Sequence, residues 1–207
     1  LDEVIKAGRI PEKWVEKRRL QWGEKSAIFQ NHVLGEFANS EEDGIILLSW
    51  IEAANERWHQ LNQKFGPLTA VGVDVGRGGD DSVRAKLHGN AISECLHTSV
   101  RDTMVVGREV QQTLAGTTAV AVVDVGGLGV GVYDRLREQK TNVQAFNASE
   151  ATHETDRSGE LQFLNKRAAA WWKMRERLDP AYDSDVALPP DDLLTGDLAT
   201  PHWKINT

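Results

Sequence analysis

Cysteine and long apolar runs are scarce in this sequence. One cysteine, Cys95, stands in 207 residues, which excludes an intrachain disulfide and a Cys-rich zinc site. The longest apolar runs, such as residues 119–123, are far shorter than the ~20 residues that a membrane-spanning helix needs. No charged and then apolar secretory leader opens the chain. We therefore expect a soluble intracellular protein.

Basic residues are also few, with 24 Lys and Arg against 31 Asp and Glu, and a formal net charge of −7. A protein that coats DNA regardless of sequence needs a basic face, because its affinity comes from counterion release. The charge therefore argues against such a coat. The 40% hydrophobic and 27% charged fractions are typical of globular chains, and the length allows one domain with an appendage.

Residues 1–66 are predicted to form a helical arm. Pro11 suits the first position of a helix that runs to about residue 22. Ser49 and Glu52 form a capping box, which predicts a second helix from Ser49 to about residue 61. Phe65-Gly66-Pro67 then ends the helical pattern, so that a second unit is predicted over residues 67–207.

Short β-branched runs alternate with amphipathic segments after residue 67. The short connections between the first three runs indicate an antiparallel meander, and the apolar fourth run indicates a strand buried on both faces. The result is an α/β fold with a mixed sheet in the order βββαβαβα. The predicted strands cover residues 68–75, 82–88, 91–98, 117–124 and 142–146, and the predicted helices cover residues 102–114, 129–139 and 163–178. A polar loop is predicted over residues 147–160.

Two predicted strands end in Val-Asp-Val-Gly, which places Asp74 and Asp124 at the carboxyl ends of central strands. An aspartate there is costly unless it is paired or binds a metal. Adjacent strands lie about 4.8 Å apart, so the two carboxylates could share one ion or bracket a pair of ions. Hard oxygen ligands favour magnesium or manganese over zinc.

The alternative is that each aspartate caps its own turn by accepting hydrogen bonds from glycine amides. Asp80 and Asp81 are weaker metal candidates, because aspartate is favoured in hairpin turns for local hydrogen bonding. His153 lies in the polar loop, where a solvated role is the simpler interpretation.

Two nucleotide-binding motifs are missing. The chain has no G-x-x-x-x-G-K-[ST] segment, which excludes a P-loop. The run Gly127-Leu128-Gly129-Val130-Gly131 follows a strand, but position 132 is Val and Asn147 follows the next strand where a dinucleotide site has an acid. These departures argue against a dinucleotide site.

Three blocks in order carry a resemblance: AVGVDVGRGGDDSV, AVVDVGGLGVGVYDRL and FLNKRAAAWWKMRERL. Together they resemble the nuclease domain of the large terminase subunit of tailed bacteriophages. The amino-terminal sequence resembles the segment that joins the packaging ATPase to that nuclease. This resemblance includes Trp22-Gly23 and residues 33–37 and 50–54.

The resemblance implies a ribonuclease H-like fold that cuts double-stranded DNA during genome packaging, with two Mg²⁺ or Mn²⁺ ions. Asp74 and Asp124 match the first two metal-binding acids of the family, and Asp81 is a further candidate ligand. In this hypothesis Asp74 bridges both metals and Asp124 holds one, while one metal activates water and the other stabilises the leaving 3′ oxygen. The implied partners are DNA, the terminase ATPase domain, the small terminase subunit and the portal, in the host cytoplasm during virion assembly.

The same resemblance suggests DNA contacts through Arg77, Lys166 and Arg167, with a structural salt bridge as an equal alternative for the last two. Five basic residues are expected to cluster on the last predicted helix: Lys166, Arg167, Lys173, Arg175 and Arg177. At least one of Trp171 and Trp172 should be part of the core.

The sequence departs from the family pattern near its end. The family has further acidic ligands in a Pro-Asp-x-Ala-Asp-like segment, which is absent here, so we expect an incomplete site. Asp191, Asp192 and Asp197 are poor substitutes, because residues 189–192 resemble the start of a short helix. Residues 202–206 look like a hairpin strand.

Two other classes of protein compete with the nuclease interpretation. Actin-like and sugar-kinase ATPases also use Asp-x-Gly turns, and Asp124-Val125-Gly126-Gly127 resembles their second phosphate loop, but those proteins enclose ATP between two lobes. A non-catalytic interaction module would use the sheet as a scaffold and the helical arm to bind its partner.

Overall fold

The computed structural model describes residues 5, 10–22, 29, 33–34, 44–76 and 79–204. Its helices are α1 (Glu12–Trp22), α2 (Leu48–Gln60), α3 (Thr103–Leu114), α4 (Gly129–Glu138), α5 (Lys166–Leu178) and α6 (Asp192–Ala199). Its strands are β1 (Ala70–Asp74), β2 (Ser82–His88), β3 (Ala91–Thr98), β4 (Val120–Asp124) and β5 (Val143–Phe146). The predicted order βββαβαβα is thus confirmed between β1 and α5. Within the described ranges, no helix is long and apolar enough to cross a membrane.

The five strands form one mixed sheet in the order β3-β2-β1-β4-β5. The first three strands pair antiparallel, and β4 pairs parallel with both β1 and β5, as the sequence predicts. Because β1, β4 and β5 run in the same direction, their carboxyl ends lie at one edge of the sheet. We call this edge the carboxyl edge; β3, which is antiparallel to β2, also ends there.

Helices α3 and α4 cover one face of the sheet. Side chains alternate between the two faces of a strand, so Val71 and Val73 of β1 face the same core as Ala121 and Val123 of β4, and all four are buried. The helices add Val106, Val110, Leu114, Val132 and Leu136 to this cluster. The alternation leaves Asp74 and Asp124 on the opposite face.

A second hydrophobic cluster joins α2, α5 and α6 beside β3. Its buried members are Ile45, Ile46, Ile51, Ala54, Leu178, Val186, Leu188 and Leu198. The cluster is anchored to the sheet by backbone pairing of Ala91 with Ala187 and by the Trp58 indole, which donates to the Ile92 carbonyl at 3.0 Å. Residues 45–54 therefore pack against residues that follow the predicted boundary at residue 66, and the boundary itself stays a prediction.

Three local predictions need correction. Helix α2 begins at Leu48 with Leu47 as its N-cap and without a side-chain cap bond, so the predicted capping box at Ser49 is wrong. Its buried residues Ile51 and Ala54 pack into the second cluster. The helix predicted to begin at residue 163 begins at Lys166 instead, as α5. Asn165 caps it, because its side chain accepts a hydrogen bond from the Ala168 amide at 2.9 Å.

The predicted strand over residues 202–206 is also not found in its described part. His202 forms an isolated backbone bridge with Gly44, and residues 203–204 have no regular structure. Residues 205–206 lie outside the described part of the chain.

Glycine at position 129 is required by close packing of α4 on the end of β4. A Cβ atom at Gly129 would lie 1.8 Å from the Asp124 carbonyl oxygen, whereas a Cβ at Gly131 would meet nothing within 4 Å. We expect Gly129→Ala to lower the free energy of unfolding by about 1–3 kcal/mol, as overpacking does. Gly131→Ala should raise it by up to about 1 kcal/mol through helix propensity. Urea unfolding of both variants tests this, and equal stability of the two would contradict it.

Candidate metal centre

The parallel pairing of β1 with β4 brings the two predicted acids together. Val73 pairs with Val123, so Asp74 and Asp124, the next residues in the same register, lie side by side at the carboxyl edge. Both are on the face opposite α3 and α4. Asp74 is exposed and Asp124 is half-buried, which leaves both carboxylates accessible to a ligand.

The two turns after these aspartates are built differently. After β4, the Gly126 amide donates to Asp124 Oδ1 at 2.9 Å, so the turn-capping alternative holds for one oxygen of Asp124. After β1, the Gly76 amide donates instead to Ser82 Oγ at 3.1 Å, which leaves the Asp74 carboxylate out of the turn. A Cβ at Gly76 would lie 2.3 Å from the Asp80 carbonyl oxygen, so this turn closes too tightly for any other residue.

Ser82 is a contributor to the site that the sequence analysis did not single out. Its side chain is 2% exposed, and its hydroxyl orients the turn next to Asp74. The available signal was a hydroxyl residue at the first position of β2, directly after two aspartates.

The charges of Asp74 and Asp124 are uncompensated within the described part of the chain, where neither carboxylate has an ion-pair partner. Two like charges on adjacent strands repel each other, and a divalent cation between them would offset that repulsion. Their hard oxygen donors fit Mg²⁺ or Mn²⁺.

Among the described residues, no group of three or more His, Cys, Asp and Glu side chains converges on a metal position. The two aspartates thus provide a partial ligand set, which suits an ion such as Mg²⁺ that keeps several waters and takes oxygens from a phosphate substrate. Asp80 and Asp81 are exposed in the turn before β2 and belong to no such group. Arg77 lies outside the described residues.

Solved structures share this arrangement of strands and helices. The nuclease domain of the large terminase subunit gp2 of bacterial virus Sf6 aligns with a TM-score of 0.63 and 20% identity, over 78% of this chain and 84% of that one. A variant of that domain with manganese and β-thujaplicinol gives the same values. The large terminase nuclease from thermophilic phage G20c with bound cobalt aligns with a TM-score of 0.52 and 13% identity, over 80% and 84%.

This chain has the fold of a large terminase nuclease domain. The resemblance noted in the sequence is confirmed at the level of the fold, and with it the ribonuclease H-like mixed sheet. No protein-family model matches the chain, and no curated protein matches it either.

In this terminase nuclease fold, the three acidic residues near the end of the sequence lie at the start of α6 or within it. Asp191 caps the helix by accepting from the Leu193 and Leu194 amides at 2.8 and 3.1 Å, and Asp192 pairs with Arg18. Partial burial raises the pKa of Asp197 above its ordinary value, against the opposing charge of His97. That none of these three acids replaces the missing family ligands stays a prediction.

The five basic residues all lie on α5, as expected, but internal contacts use most of them. Lys166 pairs with Glu150 at 2.8 Å, Lys173 pairs with Glu154, and Arg177 donates to Asn90. Arg175 donates to the carbonyls of Gly44 and Ile45 and lies over the rings of Trp50 and Trp172. Arg167 is exposed and has no ion-pair partner among the described residues.

The two tryptophans of α5 and the loop residue His153 are the remaining residues considered in the sequence. Trp171 packs against the second cluster, which confirms that one tryptophan of the pair is part of the core. Trp172 contacts the rings of Phe163 and Trp203, at centroid distances of 6.1 and 5.4 Å. His153 is exposed in the loop over residues 147–160.

Cys95 of β3 is unsuited to metal binding or nucleophilic chemistry. Burial, helped by the negative charges of Asp191 and Glu94, raises the pKa of its thiol from 9.0 to about 11, so the thiol is protonated at neutral pH. At pH 8 the folded protein should contain about 100-fold less thiolate than the unfolded chain. Iodoacetamide alkylation should therefore be correspondingly slower in buffer than in urea, with the folded rate still rising up to about pH 11. Equal rates in both solvents would contradict this.

Proposed function

We propose that this chain is the metal-dependent endonuclease domain of a viral DNA-packaging terminase, which cuts double-stranded concatemeric DNA by two-metal phosphodiester hydrolysis. The observation that carries the proposal is the pair Asp74 and Asp124, side by side, accessible and uncompensated within the described residues at the carboxyl edge. The fold that presents them is that of terminase nuclease domains. The neighbouring Sf6 domain with manganese and the G20c nuclease with cobalt support a divalent metal as cofactor.

Asp74 and Asp124 would hold Mg²⁺ or Mn²⁺ in this proposal, with Asp81 as a further ligand. A bound metal ion supplies an activated water and stabilises the charge of the leaving oxygen. The chain contributes the orientation of the ligands: the Gly126 amide donates to Asp124 Oδ1, and the Ser82 hydroxyl accepts from the Gly76 amide in the turn next to Asp74. The glycines of both turns leave room for a phosphate backbone to approach.

Contacts to DNA would come from Arg167 and Arg77. Arg167 lies at the start of α5, where its amide donates to the Ala148 carbonyl beyond β5 at 3.0 Å; β5 ends at the same edge as the two acids. Lys166 is a weaker candidate because Glu150 already pairs with it.

The wider setting of the proposal follows from the family. The helical arm over residues 1–66 would lead from the packaging ATPase, and the nuclease unit over residues 67–207 would act with the ATPase, the small terminase subunit and the portal. Cutting would take place in the host cytoplasm during virion assembly.

Removal of either acid should abolish cleavage. We expect Asp74→Asn and Asp124→Asn each to reduce nicking of plasmid DNA in manganese by at least about 100-fold, since metal stabilisation of the transition state is worth several kcal/mol. Asp134→Asn is the matched control, because Asp134 is an exposed acid that pairs with Arg137 on α4, which covers the sheet face opposite Asp74 and Asp124. Nicking rates and thermal unfolding of all three variants provide the test. Folded Asp74 and Asp124 variants that still nick DNA would rule out this active site.

Calorimetry separates the proposal from its two rivals. We expect Mn²⁺ to bind the chain and the heat of binding to disappear in Asp74→Asn, because one of two carboxylate ligands is then neutral. The Asp134→Asn control should bind like the parent. Binding of ATP would favour the actin-like ATPase lobe instead, and a chain that binds neither Mn²⁺ nor ATP would favour the interaction module.

A further inference from the structure

His97 lies in the same row of the sheet as the two aspartates. Asp74 of β1 pairs with Val83 of β2, and Val83 pairs in turn with His97 of β3. On the other side, Asp124 of β4 lies beside Asp74 and pairs with Phe146 of β5. Residues that pair directly across strands have their side chains on the same face, so His97 is on the face of the two acids, at the carboxyl edge.

Neighbouring charges confirm the face on which His97 lies. Arg84, the residue after Val83 in β2, forms an ion pair with Glu109 of α3 at 2.7 Å, so its side chain is on the face that α3 covers. Val83, and with it His97, is therefore on the opposite face, because side chains alternate along a strand. His97 accordingly lies near Asp197 of α6, whose pKa burial raises against the charge of His97.

The imidazole of His97 is free to bind a ligand. It is exposed and has neither a hydrogen bond nor an ion-pair partner among the described residues, Asp197 included. Other histidines have contacts within the chain: His88 Nδ1 lies 2.7 Å from the Gly66 carbonyl oxygen, and the ring of His59 lies edge-on to that of Trp58. An imidazole always has at least one N–H group that can donate a hydrogen bond.

Gly72 leaves the centre of the same face open. It lies two residues before Asp74 and pairs with Ala85 of β2 and Val122 of β4, yet it is exposed. A Cβ atom at Gly72 would lie 4.0 Å from the Ala85 Cβ, which is an ordinary van der Waals distance, so this contact does not require glycine. Glycine inside a strand often marks a position where a ligand or another backbone comes close. The face beside the acids therefore has room for a DNA strand.

The position of His97 suits a contact with the DNA backbone rather than with a metal ion. His97 does not converge with Asp74 and Asp124 on a metal position. Two strand spacings of about 4.8 Å separate its Cα atom from that of Asp74, or about 10 Å in all. A DNA strand advances about 3.4 Å per nucleotide. A strand held at the acids and running along the row therefore reaches His97 within about three nucleotides.

We propose that His97 donates a hydrogen bond to a backbone phosphate of the DNA strand that is cut at Asp74 and Asp124, and that this strand crosses the open face along the row from β3 to β4. This inference rests on the proposed function, because it takes DNA to be the substrate at the two acids. Hydrogen bonds to an ionised acceptor such as phosphate are stronger than those between neutral groups. A contact of this kind positions the strand without reading its sequence.

The test measures DNA binding without cleavage. His97→Gln and His97→Arg are made in the Asp74→Asn chain, and binding of a 5′-labelled 30-base-pair duplex is followed by fluorescence anisotropy in EDTA from 50 to 200 mM salt. His59→Gln and His59→Arg are the matched controls. His59 is also exposed, but it packs on Trp58, whose indole donates to the Ile92 carbonyl at the opposite end of β3. Thermal unfolding verifies that each variant is folded.

His97→Gln should weaken binding of the duplex about tenfold, which is the loss expected for one hydrogen bond to a charged group. His97→Arg should restore the affinity and steepen the slope of log affinity against log salt by about 0.9, because a permanent charge then neutralises one phosphate. The loss of affinity across this salt range becomes about 3.5-fold larger. Both His59 variants should keep the parent affinity and slope. An unchanged affinity in His97→Gln, an unchanged slope in His97→Arg, or equal changes in the controls would overturn the proposal.

Asp197→Asn distinguishes the phosphate contact from a structural role of His97 toward α6. If His97 serves to offset the charge of Asp197, the effect of His97→Gln on DNA binding disappears once Asp197 is neutral, and the proposal is overturned. A tenfold effect that is retained in the Asp197→Asn chain supports the phosphate contact.

Further outcomes separate the sources of phosphate and the two proposals. Release of the duplex by millimolar ATP at constant ionic strength, lost in His97→Gln, would assign the contact to a free nucleotide and overturn the DNA assignment. If the parent chain cuts DNA through Asp74 and Asp124 while His97→Gln binds normally, only this inference fails. If the Asp74→Asn chain still cuts DNA, the proposed active site fails, and the affinities and salt slopes of the His97 variants continue to decide this inference.

Discussion

The parallel pairing of β1 with β4 is the constraint on which the candidate site depends. Val73 beside Val123 buries the valines of both strands under α3 and α4, and the same register sets Asp74 beside Asp124. A slip of one residue would turn an aspartate into the core, because side chains alternate between the faces. The hydrophobic core therefore holds two mutually repelling carboxylates together, and no contact between them is needed.

Much of this arrangement could be predicted from the sequence because the signals are local. The β2 and β3 strands have the predicted bounds, since Gly89 adopts the positive φ of 63° that their tight turn requires. Two copies of Val-Asp-Val-Gly were sufficient to predict adjacent acids. Local patterns also predicted α6, where Asp191 caps the helix.

Side-chain partners that are distant along the chain could not be predicted from the sequence. Nothing near α5 indicates that Lys173 meets Glu154 or that Arg177 meets Asn90, so its basic residues resembled a binding surface. Charge counted along a chain differs from charge presented on a surface.

The second hydrophobic cluster has a consequence for dissecting the chain. Ile46 and Ile51 pack with Leu178 and Leu188, and Arg175 donates hydrogen bonds to the backbone carbonyl groups that precede α2. A fragment that starts at residue 67 would keep the sheet and both aspartates but would present a large apolar surface to water, which favours aggregation. Residues 45–54 look like a connecting segment in the sequence, but in the structure they cover apolar side chains of the C-terminal part of the chain.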